Sequence, residues 1–466
     1  MKRLLIILLL TSIGLGSYAQ QVAPATVHNF SLQDCINYAY EHQDTVKNAI
    51  LDVKSAEYKV RETTGIGLPQ INGVASFQDY LKTPSVIFPN FANGLYQILN
   101  QEGVKDKNGN VIQAVNLPPQ KLSIYQPYNS NLGLSLSQIL FDGSYLVGLK
   151  ASRTYKELSQ RAYTRSKIDA KVNVTKAYYQ VLVSNEQIKL LDADLAQLKQ
   201  QVDQTAAENK QGFAEKIDVD RITVQYNNLS TTRENTVRLL VLNYEMLKFQ
   251  MGMPVNEEIT LTDKLADVNF DNSIADGGDT TFYHNRIEYN LEETNVRLNQ
   301  LDVQNKKARF MPNLMLNGST AAAFQSSTFG TLFKYLYPST YIGITLNVPI
   351  FSGGQHINQL RQSQIEVMKS QNDLEAIHNG IVLQANAARI SYINSIKSLE
   401  NQKQSQQLAQ EVLRVSKIKY QQGVGSSIEV TQAQTELESA DNQYIQALYN
   451  ALISKVDLDK AYGRIQ

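Results

Sequence analysis

The order of segments in this chain occurs twice, and that duplication limits the fold more than any other feature. A helical stretch ending in Gly67-Leu68-Pro69-Gln70 has a counterpart ending in Phe310-Met311-Pro312-Asn313, and an alternating apolar/polar segment follows each. A second alternating segment closes each half, at Ile139-Leu140-Phe141-Asp142-Gly143 and, about 210 residues later, at Pro349-Ile350-Phe351-Ser352-Gly353-Gly354. A very long helical pattern then runs to Gly212, or to Gly423, and a shorter helix follows. Internal repetition of this kind decides the architecture before any single element is considered.

The helical segments carry apolar seams with spacings of three and four. The first shows Leu32, Ile36, Ala39, Val46, Ile50, Val53 and Val60, and its counterpart Ile287, Leu291, Thr294, Leu298, Leu301 and Ala308. The long helix of the first half carries Ile188, Leu191, Leu195, Leu198 and Val202, and the last helix Val430, Ala433, Leu437, Ala440, Ala447, Ala451 and Leu458. Such seams are heptads, and ones this narrow pack against one or two neighbouring helices and leave the rest wet. No proline interrupts Gly143–Asn209 or Gly353–Tyr420. At 1.5 Å per residue each helix would reach roughly 100 Å, which few globular domains need and a tunnel does.

The alternating segments read as strands. Ile71, Gly73, Ala75 and Phe77 stand opposite Asn72, Val74, Ser76 and Gln78, and Leu132, Leu134 and Leu136 opposite Asn131, Gly133, Ser135 and Ser137. In the second half Leu314, Leu316, Ala322 and Phe324 oppose Asn313, Asn317 and Ser319, and Ile342, Ile344, Leu346, Val348 and Ile350 oppose Tyr341, Gly343, Thr345, Asn347 and Pro349. A transmembrane barrel requires strands of about ten residues of this kind, although a soluble half-buried sheet alternates too. Four strands cannot close a barrel, for which about eight is the smallest number. If they lie in lipid, several chains must share one barrel, because an open edge there leaves backbone groups unsatisfied. Residues 81–130 form a long connection with Asn93-Gly94 and Asn108-Gly109 as turn signals, and 326–339 a shorter one.

The expected organisation is therefore a signal peptide at 1–19, a first repeat at 20–254, an equatorial connector at 255–281 and a second repeat at 282–466. Barrel strands are placed near 71–80 and 131–141, then near 313–325 and 340–350. The signal peptide rests on Lys2-Arg3, the apolar run Leu4–Leu10 and the small residues up to Ala19. That run is too short to span a bilayer, and no later stretch is long and apolar enough to be a transmembrane helix. The single cysteine, Cys35, lies on an apolar stripe and reads as a packed thiol. A net charge of zero makes no electrostatic case for nucleic acid. The five histidines show no ligand spacing, and Gly353-Gly354 lacks the phosphate-loop Lys-Ser/Thr, so no catalytic, metal or cofactor site is expected. Asp142 and Ser352 read as helix N-caps.

Several motifs, weak singly and ordered along the duplicated scaffold, resemble the TolC-type outer-membrane efflux family over essentially the whole mature chain. They are Phe30-Ser31-Leu32-Gln33-Asp34, Leu134-Ser135-Leu136-Ser137-Gln138 with Leu140-Phe141-Asp142-Gly143, Tyr420-Gln421-Gln422-Gly423, and Ser426-Ser427-Ile428-Glu429-Val430 ending in Ala433-Gln434. The resemblance implies a mixed α+β, mainly α fold. A β-barrel shared by a homotrimer, four strands per chain, would be continued by a long α-helical coiled-coil periplasmic tunnel. It implies an outer-membrane channel of a tripartite efflux or secretion system, surrounded by outer-membrane lipid. Its partners would be a periplasmic adaptor and an inner-membrane transporter, its cargo small toxic compounds or polypeptides, and it would make or break no bond. The helix-reversing glycines of the periplasmic tips match Gly212 and Gly423, with Phe213 and Val424 as adaptor contacts. The family's constriction residues match Tyr420 and Glu429, with Asp218 at the corresponding place in the first repeat, while Gln432 stands where a second acid is usual. Competing structural roles exist: Ser426-x-x-Glu429 is a capping box, and Asp218 and Asp220 complement a helix N-terminus. The rival architecture is a non-porous periplasmic coiled-coil scaffold or adhesin, which accounts for the heptads but not for paired, repeated amphipathic strands.

Overall fold

The computed structural model describes residues 28–123, 125–265, 270 and 281–465. The signal-peptide reading of 1–19 and much of the 255–281 connector lie outside the described residues. The chain divides into two compact units, one of residues 1–57, 154–298 and 367–466, the other of residues 58–153 and 299–366.

Among its described residues the first unit is helical apart from one short strand pair. Strand β1 (His28–Phe30) pairs in parallel with β6 (Ile259–Leu261). Helix α1 (Leu32–His42) begins in a complete capping box, in which the Ser31 hydroxyl accepts from the Asp34 N–H while the Asp34 carboxylate accepts from the Ser31 N–H. Helix α2 (Asp44–Ile66) follows at once. The two helical hairpins are α4 (Gly143–Lys210) with α5 (Lys216–Met251), and α7 (Gln355–Gln421) with α8 (Ser427–Ala461). Helix α6 (Ile287–Ala308) is the second-half counterpart of α2. At 68 and 67 residues, α4 and α7 are near-equal copies, as the duplicated sequence requires.

The seams pack as heptads should. Leu191 and Leu198 of α4 lie against Ile222 and Leu229 of α5, and Leu413 of α7 against Val430, Ala433 and Leu437 of α8. The largest core joins Cys35, Ile36 and Ala39 of α1 to Val174, Tyr178 and Val181 of α4 and to Leu247 and Met251 of α5. Burial pushes the Cys35 thiol up to about 12, so it stays a neutral packing group. In the second half, Phe282 packs with Ile381, Ala385 and Ala461. Arg286, buried there, donates to the Ala461 carbonyl at 3.0 Å and pairs with Glu288 at 2.9 Å.

The second unit is built on a four-stranded antiparallel sheet in the order β2-β5-β7-β8, with β2 at Gln70–Asp79, β5 at Tyr128–Phe141, β7 at Asn313–Ser326 and β8 at Leu336–Asn347. Register gives it two unlike faces. Ile71, Leu136, Gly318 and Ile342 fall in one row, and the next row on the other face is Asn72, Ser135, Ser319 and Tyr341. One side therefore carries Leu132, Leu134, Phe77, Ile344 and Leu346, while the other carries Asn, Ser, Thr and Tyr groups such as Asn317, which donates to Thr345 at 2.9 Å. Among the described residues β2 and β8 each have one edge without a partner strand. Such a sheet is a sector of a barrel, apolar towards lipid and polar towards a lumen.

Three local expectations are corrected. The last strand ends at Asn347, so Val348 and Ile350 lie outside it; Pro349 has no N–H for a ladder, and the partner strand starts at Asn313. Asn93-Gly94 is not a turn but sits inside helix α3 (Phe91–Gln101), because the Asn93 amide is taken by the backbone of Leu117. Ser352 does not cap α7: Gly353 and Gly354, both at positive φ, intervene, and the Gly354 carbonyl accepts the Asn358 N–H. Asp142 does cap α4, accepting from the Tyr145 N–H at 3.0 Å.

Candidate functional site

Both helical hairpins reverse through the same motif. At the end of α4 the Phe213 N–H donates to the Glu208 carbonyl and the Gly212 N–H to that of Asn209, both at 2.9 Å. At the end of α7 the Val424 N–H donates to Lys419 and the Gly423 N–H to Tyr420, both at 3.0 Å. These are Schellman turns, whose pivot needs a left-handed residue; Gly212 has φ 80° and Gly423 φ 73°. An added Cβ at either glycine meets nothing within 4 Å, so the requirement is conformational and not steric. Gly425 is the opposite case: a Cβ there would lie 2.9 Å from the Lys419 Cβ. The sequence reading missed Gly425, although the run Gly423-Val424-Gly425 carried the signal.

A Schellman turn ordinarily folds an apolar residue at the position after the glycine back onto the last helical turn. Here that partner is Glu208 or Lys419, and the apolar residues stay out in solvent, Phe213 84% and Val424 78% exposed. Two apolar tips are thus left with no use inside the fold.

Just behind the tips the two hairpins are fastened together. The Tyr420 hydroxyl of α7 donates to the Glu208 carboxylate of α4 at 3.3 Å. Burial, then the Glu208 carboxylate, raises the Tyr420 phenol above its usual range, so it remains a donor at neutral pH. The Ser427 hydroxyl at the start of α8 donates to Asp218 in the first turn of α5, and Arg221 pairs with the same carboxylate at 3.1 Å. Two turns beyond Asp218, Gln225 donates to the Thr435 hydroxyl at 2.9 Å and to the Thr431 carbonyl at 3.2 Å.

Tyr420 and Asp218 therefore meet partners on the other hairpin, whereas Glu429 stands apart. Its N–H is capped by Ser426 at 3.2 Å, and its side chain is exposed. Among the described residues its carboxylate does not return to the Ser426 N–H, so only half of the capping box forms, in contrast to Ser31 and Asp34. Sequence reasoning did not find Glu208, Ser427, Gln225 or Thr435. Each is an ordinary polar residue at an ordinary helix position and acquires a role only from the other hairpin.

A barrel sector with one lipid-type face, joined in sequence to two helical hairpins whose long arms have 68 and 67 residues, defines an outer-membrane channel. The outer membrane efflux protein family matches residues 119–239 and 291–464, and the chain belongs to that family. It is similar to the outer membrane protein TolC of Salmonella enteritidis, 25% identical over 352 residues that cover 72% of this chain and 70% of that protein. Among solved structures it resembles CusC, with a TM-score of 0.73 at 16% identity over 96% of this chain and 95% of that one. It also resembles the outer membrane protein VceC of Vibrio cholerae, with a TM-score of 0.70 at 14% identity over 93% and 96%. The protein is thus an outer-membrane channel component of an efflux or secretion system.

Proposed function

We propose that three copies of the chain close one barrel of twelve strands, and that the resulting channel takes cargo from an inner-membrane transporter through a periplasmic adaptor. The observation that carries this reading is the four-stranded sheet, apolar on one face, polar on the other and open at both edges. In lipid those edges must be paired, since an unsatisfied backbone group costs on the order of several kcal/mol. Exposed apolar residues on the hairpins support further copies alongside: Leu408, Val412, Val415 and Ile418 on α7, and Leu239, Leu242, Met246 and Phe249 on α5, each at spacings of three and four. These are heptad stripes left exposed among the described residues.

In this reading Phe213 and Val424, with Gly212 and Gly423 beneath them, meet the adaptor. Glu429, repeated three times around the axis, forms an acidic constriction that favours cations. Tyr420 and Asp218 hold the hairpins closed behind it. No bond is made or broken by the channel, and its role is conduction. Purified protein of trimeric mass in detergent that forms conducting pores in planar bilayers is the expected result. A monomer, or a trimer that never conducts, would return the non-porous scaffold to first place.

A further inference from the structure

Between β2 and β5 the chain forms a small structure of its own, a hairpin of β3 (Ser85–Phe88) with β4 (Gln120–Ser123) that carries α3. Its polarity is inside out. Asn93 donates to the Leu117 carbonyl at 2.9 Å and accepts the Leu117 N–H at 2.7 Å, and Asn100 donates to the Ile112 carbonyl at 2.9 Å. These two amides clamp one face of α3 onto the connection. At 100° per residue Phe91, Leu95 and Ile98 fall within a stripe about 60° wide on the opposite face. They are 77%, 57% and 58% exposed, and α3 has no buried residue at all. A helix held by its asparagines with its apolar stripe outward is missing whatever covers that stripe.

Register indicates the occupant. Asp79 pairs with Tyr128, Tyr128 with Ser326, and Phe324 with Leu336, so the α3 connection and the β7–β8 connection leave the same end of the sheet. Within the chain the β7–β8 turn crosses the sheet, with Phe329 against Phe77 of β2 and Tyr128 of β5 at 5.9 and 5.8 Å, and then enters β8 at the edge opposite to the one from which the α3 connection leaves β2. In that turn the fully buried Leu332 anchors a short 3-10 helix, Phe329–Lys334; Phe333 packs edge-on against Phe324 of its own chain at 5.2 Å and still stays 65% exposed, as Tyr335 stays 57% exposed. A head-to-tail ring brings β2 of each copy against β8 of the next, and with them these two apolar corners. A lipid surface fits less well, because interfacial helices carry Lys or Arg on their polar face and α3 has no charged residue.

We propose that the Phe91–Leu95–Ile98 stripe of α3 docks on the Phe333–Tyr335 turn of the neighbouring copy, joining the channel mouth beyond the barrel strands. The inference rests on the shared-barrel reading and continues its seam. The test places the photoreactive residue p-benzoylphenylalanine at Phe91 and, separately, at Ile98 of the full-length protein purified in detergent. Irradiation is expected to link protomers covalently, with adducts mapping by mass spectrometry to residues 329–337. A Leu95→Asp change should lower the Phe91 adduct yield roughly tenfold at unchanged trimer mass. Adducts with lipid, adducts confined to the same chain, or no adducts from a sample of trimeric mass would overturn this docking alone. A sample that is not trimeric would instead overturn the shared barrel, and this inference with it.

Discussion

Asp194 of α4 and Asp441 of α8 are buried as neighbours, 7% and 8% exposed, and Gln406 of α7 donates to Asp441 at 2.6 Å. Burial, then the Asp441 charge, pushes Asp194 up to about 7, with Glu438 adding in the same direction and Lys417 opposing. Burial raises Asp441 as well. Two neighbouring buried carboxyls cannot both ionise cheaply, so Asp194 holds its proton well above the ordinary carboxylate range.

The sign of the pH dependence follows from the raised pKa. An unfolded aspartate releases its proton near pH 4, whereas the folded pair keeps one up to about pH 7. Stability from this pair is therefore greatest at the acid end and falls as pH rises through that window, by at most about 1.4 kcal/mol per pH unit. Melting of the helical circular dichroism signal should move to lower temperature from about pH 5 to about pH 8. Asp441→Asn, which keeps a hydrogen-bonding group without the second charge, should flatten that trend. An unaltered trend in the variant would show that the pair is not its source.

Glu429→Gln keeps the side chain's size and leaves the Ser426 bond to the backbone N–H in place, while removing the charge. Single-channel recordings on the purified protein are expected to show a weaker cation preference with little change in melting temperature. Unchanged selectivity with a lower melting temperature would assign Glu429 to the helix terminus alone.

Gly423→Val forces a β-branched residue into the left-handed region at φ 73°, a local strain of about 1–3 kcal/mol. The open space around that position adds no steric clash. Trimer yield and outer-membrane level should stay near normal while export and cross-linking to the adaptor fall sharply. Normal export, or loss of the trimer itself, would argue against a docking role for this tip.

Arg286→Ala should destabilise the second-half core by about 3 kcal/mol, because Glu288 and the Ala461 carbonyl lose a buried donor. Arg286→Lys should fall between, since an ammonium restores the charge but not the fork that also reaches Gln384. Equal melting temperatures for the three proteins would disprove the assignment.

What the sequence could determine by itself was whatever depends on local period and repetition. Alternation of Leu132, Leu134 and Leu136 with Asn131, Gly133 and Ser135 specifies a strand and its two faces. Spacings of three and four from Leu191 to Val202 specify a helix and its seam. Glycine at 212 and 423 marks where those helices must turn. All of these are properties of consecutive residues, so a reader of the chain can see them. Asn93-Gly94 marks the limit of that method: local chemistry favours a turn, and a bond to Leu117, 24 residues away, makes it a helix. Tertiary structure alone decided which polar groups meet. Tyr420 finds Glu208 at a separation of 212 residues, and Ser427 finds Asp218 at 209. Asp194 and Asp441 look like wet heptad positions until α4 and α8 bury them together. Periodicity says which face of a helix turns inward, but the partner on the other side is chosen by packing between hairpins, and no local pattern records it.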